Sequence, residues 1–142
     1  MIKDKLDRDF FVSNCDILID QDYLEVVNYH RESKNSLTAI AAIKEVSIPY
    51  GVFETEENGK LLSMKEKPSY KFQVNAGIYV LNSKCLESIP NNEFFNITTL
   101  MEDLKKKHIN VGVFPVSDGA WMDIGEWKEY NKTQEIFNAR FS

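Results

Sequence analysis

Two aspartates stand where chemistry is easiest to imagine. Asp16 comes shortly after the apolar run Phe10-Phe11-Val12, and Asp123 comes just after Trp121-Met122. Each lies at, or just beyond, the end of an expected strand. Ligand sites in open α/β sheets lie outside the carboxyl ends of strands. Two carboxylates meeting there would offer hard oxygen ligands to a divalent cation. Other roles stay open: Asp123 could be a helix N-cap completed by Glu126, and Asp16 a plain loop residue. Lys67 lies between Glu66 and Pro68 at a strand end, where its ammonium could face a phosphate or only water. Asn75 opens an apolar run and could hydrogen-bond a polyol or serve as a turn residue. Tyr50-Gly51 offers main chain that a ligand can approach closely, because Gly51 has no Cβ; an ordinary turn is the alternative.

The elements that must position these residues follow from the apolar pattern. Phe10-Phe11-Val12-Ser13-Asn14 reads as a buried strand stopping at Cys15-Asp16. Asp22 and Glu25 have capping-box spacing and open a helix to about Arg31, with Leu24 and Val27 on its apolar face and Tyr23 and Val26 as further candidates for it. Leu37 to Ile43 lacks alternation, as does Ala76 to Leu81, so each is expected to be a strand covered on both faces. Asn58-Gly59 predicts a hairpin between Val52–Thr55 and Leu61–Lys65, and Pro68 ends regular structure beyond it. A short helix is expected from Asn82 before Pro90. Thr99 and Glu102 form a second capping box, opening a helix whose last turn holds Lys105, Lys106 and Lys107. Val111 to Val116 is a strand. A final helix opens around Asp123, with Trp127, Tyr130 and Phe137 facing inward. Strands and helices alternate around one hairpin, which is an α/β pattern with a mixed sheet.

Composition sets outer limits. The chain has 142 residues, 43% hydrophobic and 27% charged, with 17 Lys+Arg against 22 Asp+Glu. That is too apolar for a disordered chain and too charged for a membrane protein. A net charge of −5 gives no global attraction to nucleic acid or anionic lipid, so neither is expected as a partner. It leaves room for a phosphorylated small molecule held by a few local cations. No run nears the roughly 20 apolar residues of a bilayer span. The charged lead-in from Met1 to Asp9 lacks the apolar core of a secretory signal. Cys15 and Cys85 lack zinc-type spacing and read as reduced thiols, Cys15 in a buried strand, with a structural disulfide as the alternative; a cytoplasmic location is expected. His30 and His108 read as surface residues, Lys105-Lys106-Lys107 as a solvated helix end, and Trp121 and Trp127 as packing residues.

Five segments in collinear order resemble the sugar-phosphate nucleotidyltransferases, or nucleoside-diphosphate-sugar pyrophosphorylases. They are Phe11-Val12-Ser13-Asn14-Cys15-Asp16-Ile17, Pro49-Tyr50-Gly51-Val52, Glu66-Lys67-Pro68, Asn75-Ala76-Gly77-Ile78-Tyr79-Val80 and Trp121-Met122-Asp123-Ile124-Gly125. Each alone is weak; their order gives the signal. The likeness implies a partial Rossmann-like nucleotidyltransferase domain, one unit over residues 1–142, with a mixed, mostly parallel sheet flanked by helices. It implies transfer of a nucleotidyl group from a nucleoside triphosphate to a sugar 1-phosphate, with release of pyrophosphate. It assigns Asp16 and Asp123 to Mg²⁺, Lys67 to the sugar phosphate, and Tyr50, Gly51, Glu66 and Asn75 to the sugar. Asp16 and Asp123 should then face each other across one crevice, with Lys67 near. Glu66 to Phe72 looks closest to bacterial members of surface- and flagellin-sugar pathways, which leans toward guanylyl transfer and leaves thymidylyl transfer open.

One departure stands against these matches. The family's G-G-x-G-T-R loop and its downstream P-K-P lysine have no counterpart here, and the chain has only six glycines. The chain is therefore expected to be a fragment, inactive alone, with an exposed sheet edge that favours a homo-oligomer. Two other readings compete: a metal-dependent glycosyltransferase of related fold, and a non-catalytic module that binds a sugar phosphate.

Overall fold

The computed structural model describes residue 6 and residues 8–125. In chain order the elements are β1 (Phe10–Ser13), β2 (Ile17–Ile19), α1 (Tyr23–Glu32), β3 (Leu37–Ser47), β4 (Val52–Thr55), β5 (Leu61–Lys65) and β6 (Ser69–Leu81). A 3₁₀ turn (Ser83–Ser88), α2 (Ile97–Lys106), β7 (Val111–Ser117), a second 3₁₀ turn (Asp118–Ala120) and β8 (Trp121–Asp123) follow.

The main sheet has the order β1-β6-β3-β7. β1, β3 and β7 run one way, and β6 runs antiparallel to both of its neighbours. The sheet is thus mixed, with most strands aligned and β6 as the exception. The cause lies in the β4–β5 hairpin, whose strands pair antiparallel just as Asn58-Gly59 predicts. It turns the chain leaving β3 back on itself, so β6 must return alongside β3. β6 is also longer than its apolar run. Ala76 to Leu81 is the buried half, while Ser69 to Asn75 pairs with the outer part of β3 and stays largely exposed, so hydropathy does not reveal it.

Each face of the sheet carries one core. Ile40, Ala42, Ile78 and Val80 pack under Val26 of α1, with Val116 and Ala120 beside them. Leu37, Ala39, Tyr79 and Leu81 pack against Leu100 and Leu104 of α2 and Cys85. Residues on both faces are buried along Leu37 to Ala42, as expected for a strand covered on both sides.

Several local expectations need correction. β1 is not buried: Phe11 and Val12 are each 37% exposed, because β1 has a single neighbour, β6, among the described residues. α1 turns Val26 and His30 inward and leaves Leu24 exposed. Asp22 does cap it, accepting from the Leu24 N–H at 2.8 Å, but Glu25 accepts from Gln21 instead of closing the box. α2 starts earlier than its Thr99 signal. Asn96 is the cap residue and its carbonyl already accepts from Leu100 N, so Thr99 falls inside the first turn. The last turn holds Lys105 and Lys106 as expected. Asp123 ends a strand and opens no helix within the described residues; Glu126, Trp127, Tyr130 and Phe137 lie outside them.

His30 is the largest correction. It is 1% exposed, with Nδ1 2.8 Å from the buried Thr38 Oγ1. Burial pushes its imidazole below the ordinary 6.5, against the opposing pull of Asp9. Burial alone would raise Asp9, but hydrogen bonds from Arg31 and Asn82 hold it below its ordinary 3.8. The signs follow from proton counts. Below pH 6.5 the unfolded chain protonates His30 while the fold keeps it neutral, so acid favours unfolding. The Asp9 contribution is lost separately, only as pH falls below 3.8 toward its folded value. We expect the urea midpoint to fall between about pH 7.5 and about pH 5, and His30→Gln to flatten that slope. An unchanged slope in the variant would show that other groups titrate there.

Candidate active site

The two aspartates meet. β1 ends at Ser13, Cys15 and Asp16 form the turn, and β2 begins at Ile17. β2 pairs antiparallel with β8, setting Ile17 opposite Asp123. The Ile124 N–H donates to the Asp16 carbonyl at 2.8 Å and closes the same ladder. Both carboxylates lean over Gly125. A Cβ there would lie 2.8 Å from Asp16 Oδ2 and 3.1 Å from Asp123 Oδ1, so these oxygens are within about 6 Å of each other. Gly125 N–H donates to Asp123 Oδ1 at 2.9 Å, which orients that carboxylate. Cys15, expected in a buried strand, is an exposed free thiol because it sits in the turn and not in β1.

The chemistry of this pair suits one small hard cation. Both donors are carboxylate oxygens, and the space over Gly125 is one that a methyl group would fill. Mg²⁺ typically takes one or two protein carboxylates and completes its shell with water and substrate phosphate. Among the described residues no group of three or more His, Cys, Asp or Glu forms a closed metal cage.

A second cluster forms where two connections cross. Ile48 N–H donates to the Pro68 carbonyl at 3.0 Å, and Lys67 N–H to the Tyr50 carbonyl at 3.2 Å. This places Tyr50 and Gly51 beside Glu66 and Lys67. A Cβ at Gly51 would lie 3.0 Å from Glu66 Oε2, so the bare glycine makes room for that carboxylate. Lys67 has a left-handed backbone with φ of 45°, unusual for a residue with a side chain. Its side chain is exposed and makes no ion pair among the described residues, as does that of the exposed Tyr50.

Asn75 is engaged within its own strand. Its Nδ2 donates to the Tyr79 hydroxyl at 2.7 Å, and its Oδ1 accepts from Gly77 N–H at 3.1 Å. One further donor hydrogen on Nδ2 and one lone pair on Oδ1 are left for a ligand. The β3–β6 register slips here: Ala39 faces Tyr79, but Ala41 faces Asn75. Gly77 adopts φ of 78° at this bulge, and a Cβ on it would meet Asn14 Nδ2 at 2.8 Å. The carbonyls at the bulge have two partners. Gly77 O accepts from Asn14 N at 2.9 Å, and Ala76 O accepts from Trp121 Nε1 at 3.1 Å. Asn14 leads to Asp16, and Trp121 leads to Asp123. Trp121 also has Lys44 Nζ 4.6 Å from its ring centroid, and Lys44 pairs with Asp118. The positioning roles of Asn14, Gly77 and Trp121 escape the sequence reading. The one available signal was a glycine inside an apolar strand, which marks a bulge or a close approach.

The structure thus gathers the predicted residues into two groups, Asp16 with Asp123 and Tyr50-Gly51 with Glu66-Lys67. Both groups connect to β6, whose eight steps from Ser69 to Gly77 would span about 26 Å as regular strand. No hydrogen bond or ion pair ties Lys67 to either aspartate among the described residues.

Comparison with known proteins bears on the family and the fold. The family model described as nucleotidyl transferase matches residues 1–139. A UTP–glucose-1-phosphate uridylyltransferase of a Synechocystis strain is 34% identical over 132 residues, which cover 86% of this chain and 33% of that protein. The mannose-1-phosphate guanylyltransferase catalytic subunit beta of Drosophila melanogaster is 30% identical over 130 residues, covering 85% of this chain and 33% of its own length. The chain therefore spans about a third of these curated relatives. HddC from Yersinia pseudotuberculosis, also solved complexed with GMP-PN, shares the fold at a TM-score of 0.59. Without that ligand it is 24% identical, and the match covers 92% of this chain and 56% of HddC. With collinear motifs, a mixed sheet and two aspartates paired across one short ladder, the chain belongs to the nucleotidyl transferase family.

Proposed function

We propose that this chain supplies the metal and sugar-phosphate half of an enzyme that transfers a nucleotidyl group from a nucleoside triphosphate to a sugar 1-phosphate. The convergence of Asp16 and Asp123 over Gly125 carries this reading. A phosphate oxygen of the sugar 1-phosphate forms a bond to the α-phosphorus, the bond from that phosphorus to the bridging oxygen breaks, and pyrophosphate leaves. No protein nucleophile is needed, so the protein's work is positioning and charge compensation. Asp16 and Asp123 would hold Mg²⁺, which when bound neutralises charge on the reacting phosphates. Lys67 offsets the sugar phosphate with a mobile point charge. Glu66, Asn75, Tyr50 and the Gly51 main chain hydrogen-bond the sugar hydroxyls. A cytoplasmic location fits the supply of nucleoside triphosphates. The nucleotide is left open among guanylyl, thymidylyl, uridylyl and cytidylyl donors, with guanylyl favoured by the likeness to a guanylyltransferase subunit and to HddC.

Mn²⁺ binding followed by electron paramagnetic resonance tests the metal pair directly. Asp16→Asn and Asp123→Asn should each weaken binding about tenfold or more. Gly125→Ala should do the same without removing a ligand, since its Cβ would fall 2.8 Å from Asp16 Oδ2. Wild-type affinity in all three would remove the basis of the reading.

The 142 residues contain no glycine-rich phosphate loop. The chain alone should therefore release no pyrophosphate from GTP, dTTP, UTP or CTP with glucose 1-phosphate or mannose 1-phosphate and Mg²⁺. Steady release would show that the residues present suffice.

The half-exposed apolar edge of β1, with Phe11 and Val12, favours pairing of copies. Light scattering should give a mass above the 16.4 kDa of one chain. A single-chain mass at high micromolar concentration would count against a homo-oligomer.

A further inference from the structure

A separate cleft opens at the opposite end of the sheet from the aspartates. Phe10 and Leu37 both pair with Leu81, so Asp9, Ser36 and Asn82 emerge together just past that level. Asp16 lies beyond the other end of β1. The cleft has a volume of about 350 Å³ and is lined by Asp9, His30, Arg31, Lys34, Asn82 and Lys84 among others. That is the size of a site for a small molecule.

Its charges are unbalanced. Asp9 is already spoken for: Arg31 Nε donates to Oδ2 at 2.9 Å, and Asn82 Nδ2 to Oδ1 at 3.1 Å. Lys34 and Lys84 have no carboxylate partner among the described residues. Three cations against one carboxylate leave two positive charges. The nearby end of α1 adds little opposing charge, because its final carbonyls are taken by the N–H groups of Ser33, Lys34 and Asn35.

An unmatched donor lies beneath these cations. Asn35 Nδ2 donates to Thr38 Oγ1 at 3.1 Å, and the Thr38 hydroxyl hydrogen is available to His30 Nδ1 at 2.8 Å. With Thr38 donating to Nδ1, the neutral imidazole carries its hydrogen on Nε2. Nε2 is buried with no hydrogen-bond partner among the described residues, and Asp9 Oδ1, at 3.8 Å, is too far to accept. Buried polar groups are nearly always paired, so an orphan donor next to surplus positive charge points to an acceptor supplied from outside.

We propose that this cleft is a second binding site, distinct from the aspartate pair, for a phosphate group, either free or as the monoester of a small molecule. A phosphate monoester carries about −1.5 to −2 charges at neutral pH, which matches the surplus. Lys34 and Lys84 supply point charges, the free N–H groups of Arg31 supply directed hydrogen bonds, and Asp9 can accept from a hydroxyl of the monoester.

His30 and His108 are the only histidines, so imidazole NMR signals of the full chain report on this site cleanly. Inorganic phosphate and glycerol phosphate are titrated at pH 7.5, against sodium chloride at equal ionic strength. The expected result is a saturable shift of the His30 signals with either phosphate, none with chloride, and none at the exposed His108. A tighter response to glycerol phosphate assigns the site to monoesters, and equal responses assign it to the phosphate group alone. The double variant Lys34→Glu/Lys84→Glu should weaken the response at least about tenfold, whereas Asp16→Asn should leave it intact. No saturable His30 shift in the wild-type chain, or an undiminished one in the double variant, overturns the proposal. So does loss of the shift in Asp16→Asn, which would place the phosphate at the aspartates.

Discussion

The bulge of β6 at Gly77 is the constraint on which the aspartate site depends. The Gly77 carbonyl accepts from Asn14 N–H, which continues the β1–β6 ladder one residue past the Ser13–Ile78 pair. At the slip in the β3–β6 register the Ala76 carbonyl accepts from the Trp121 indole instead. These two bonds tie the approaches to Asp16 and Asp123 to the same point of one strand. A side chain at Gly77 would be penalised twice, by its φ of 78° and by the 2.8 Å contact with Asn14. Asn75 stabilises the distortion by accepting from the Gly77 N–H, so the residue proposed to meet a sugar also shapes the strand.

The rest of the fold holds that strand rigid. β6 lies between β1 and β3, and its inner half is buried from Ala76 to Leu81. Val26 closes one face and Leu100 the other. The bulge therefore sits at the rim of a core packed on both sides, where interiors resist deformation. The hairpin end of β6 differs. Phe53, Leu62, Met64 and Phe72 are more than half exposed there. The group around Lys67 stands on this less enclosed part of the molecule.

Much of this was legible in the residues. The uninterrupted runs of β3 and β6 announced strands covered on both faces, and Asn58-Gly59 announced the hairpin, because both signals are local and strong. The pairing of Asp16 with Asp123 came from motif order, not from spacing, since 22 acidic residues allow many pairs. What failed depended on tertiary context. His30 reads as a polar helix-end residue, yet the helix phase set by Val26 turns it onto Thr38. Thr99 and Glu102 have capping-box spacing, but burial of Leu100 and Leu104 draws the helix back to Ile97. The exposed half of β6 has no apolar signature at all, and its existence is dictated by its partner β3.

β2 and β8 form a two-stranded sheet apart from the main one, with only three residue pairs. Both acids belong to this miniature ribbon or its immediate flanks. Their mutual separation is therefore set by one short reciprocal pairing, not accumulated through the twist of a large sheet. A shift of the ribbon would carry the two oxygens together, altering their aim while preserving their gap.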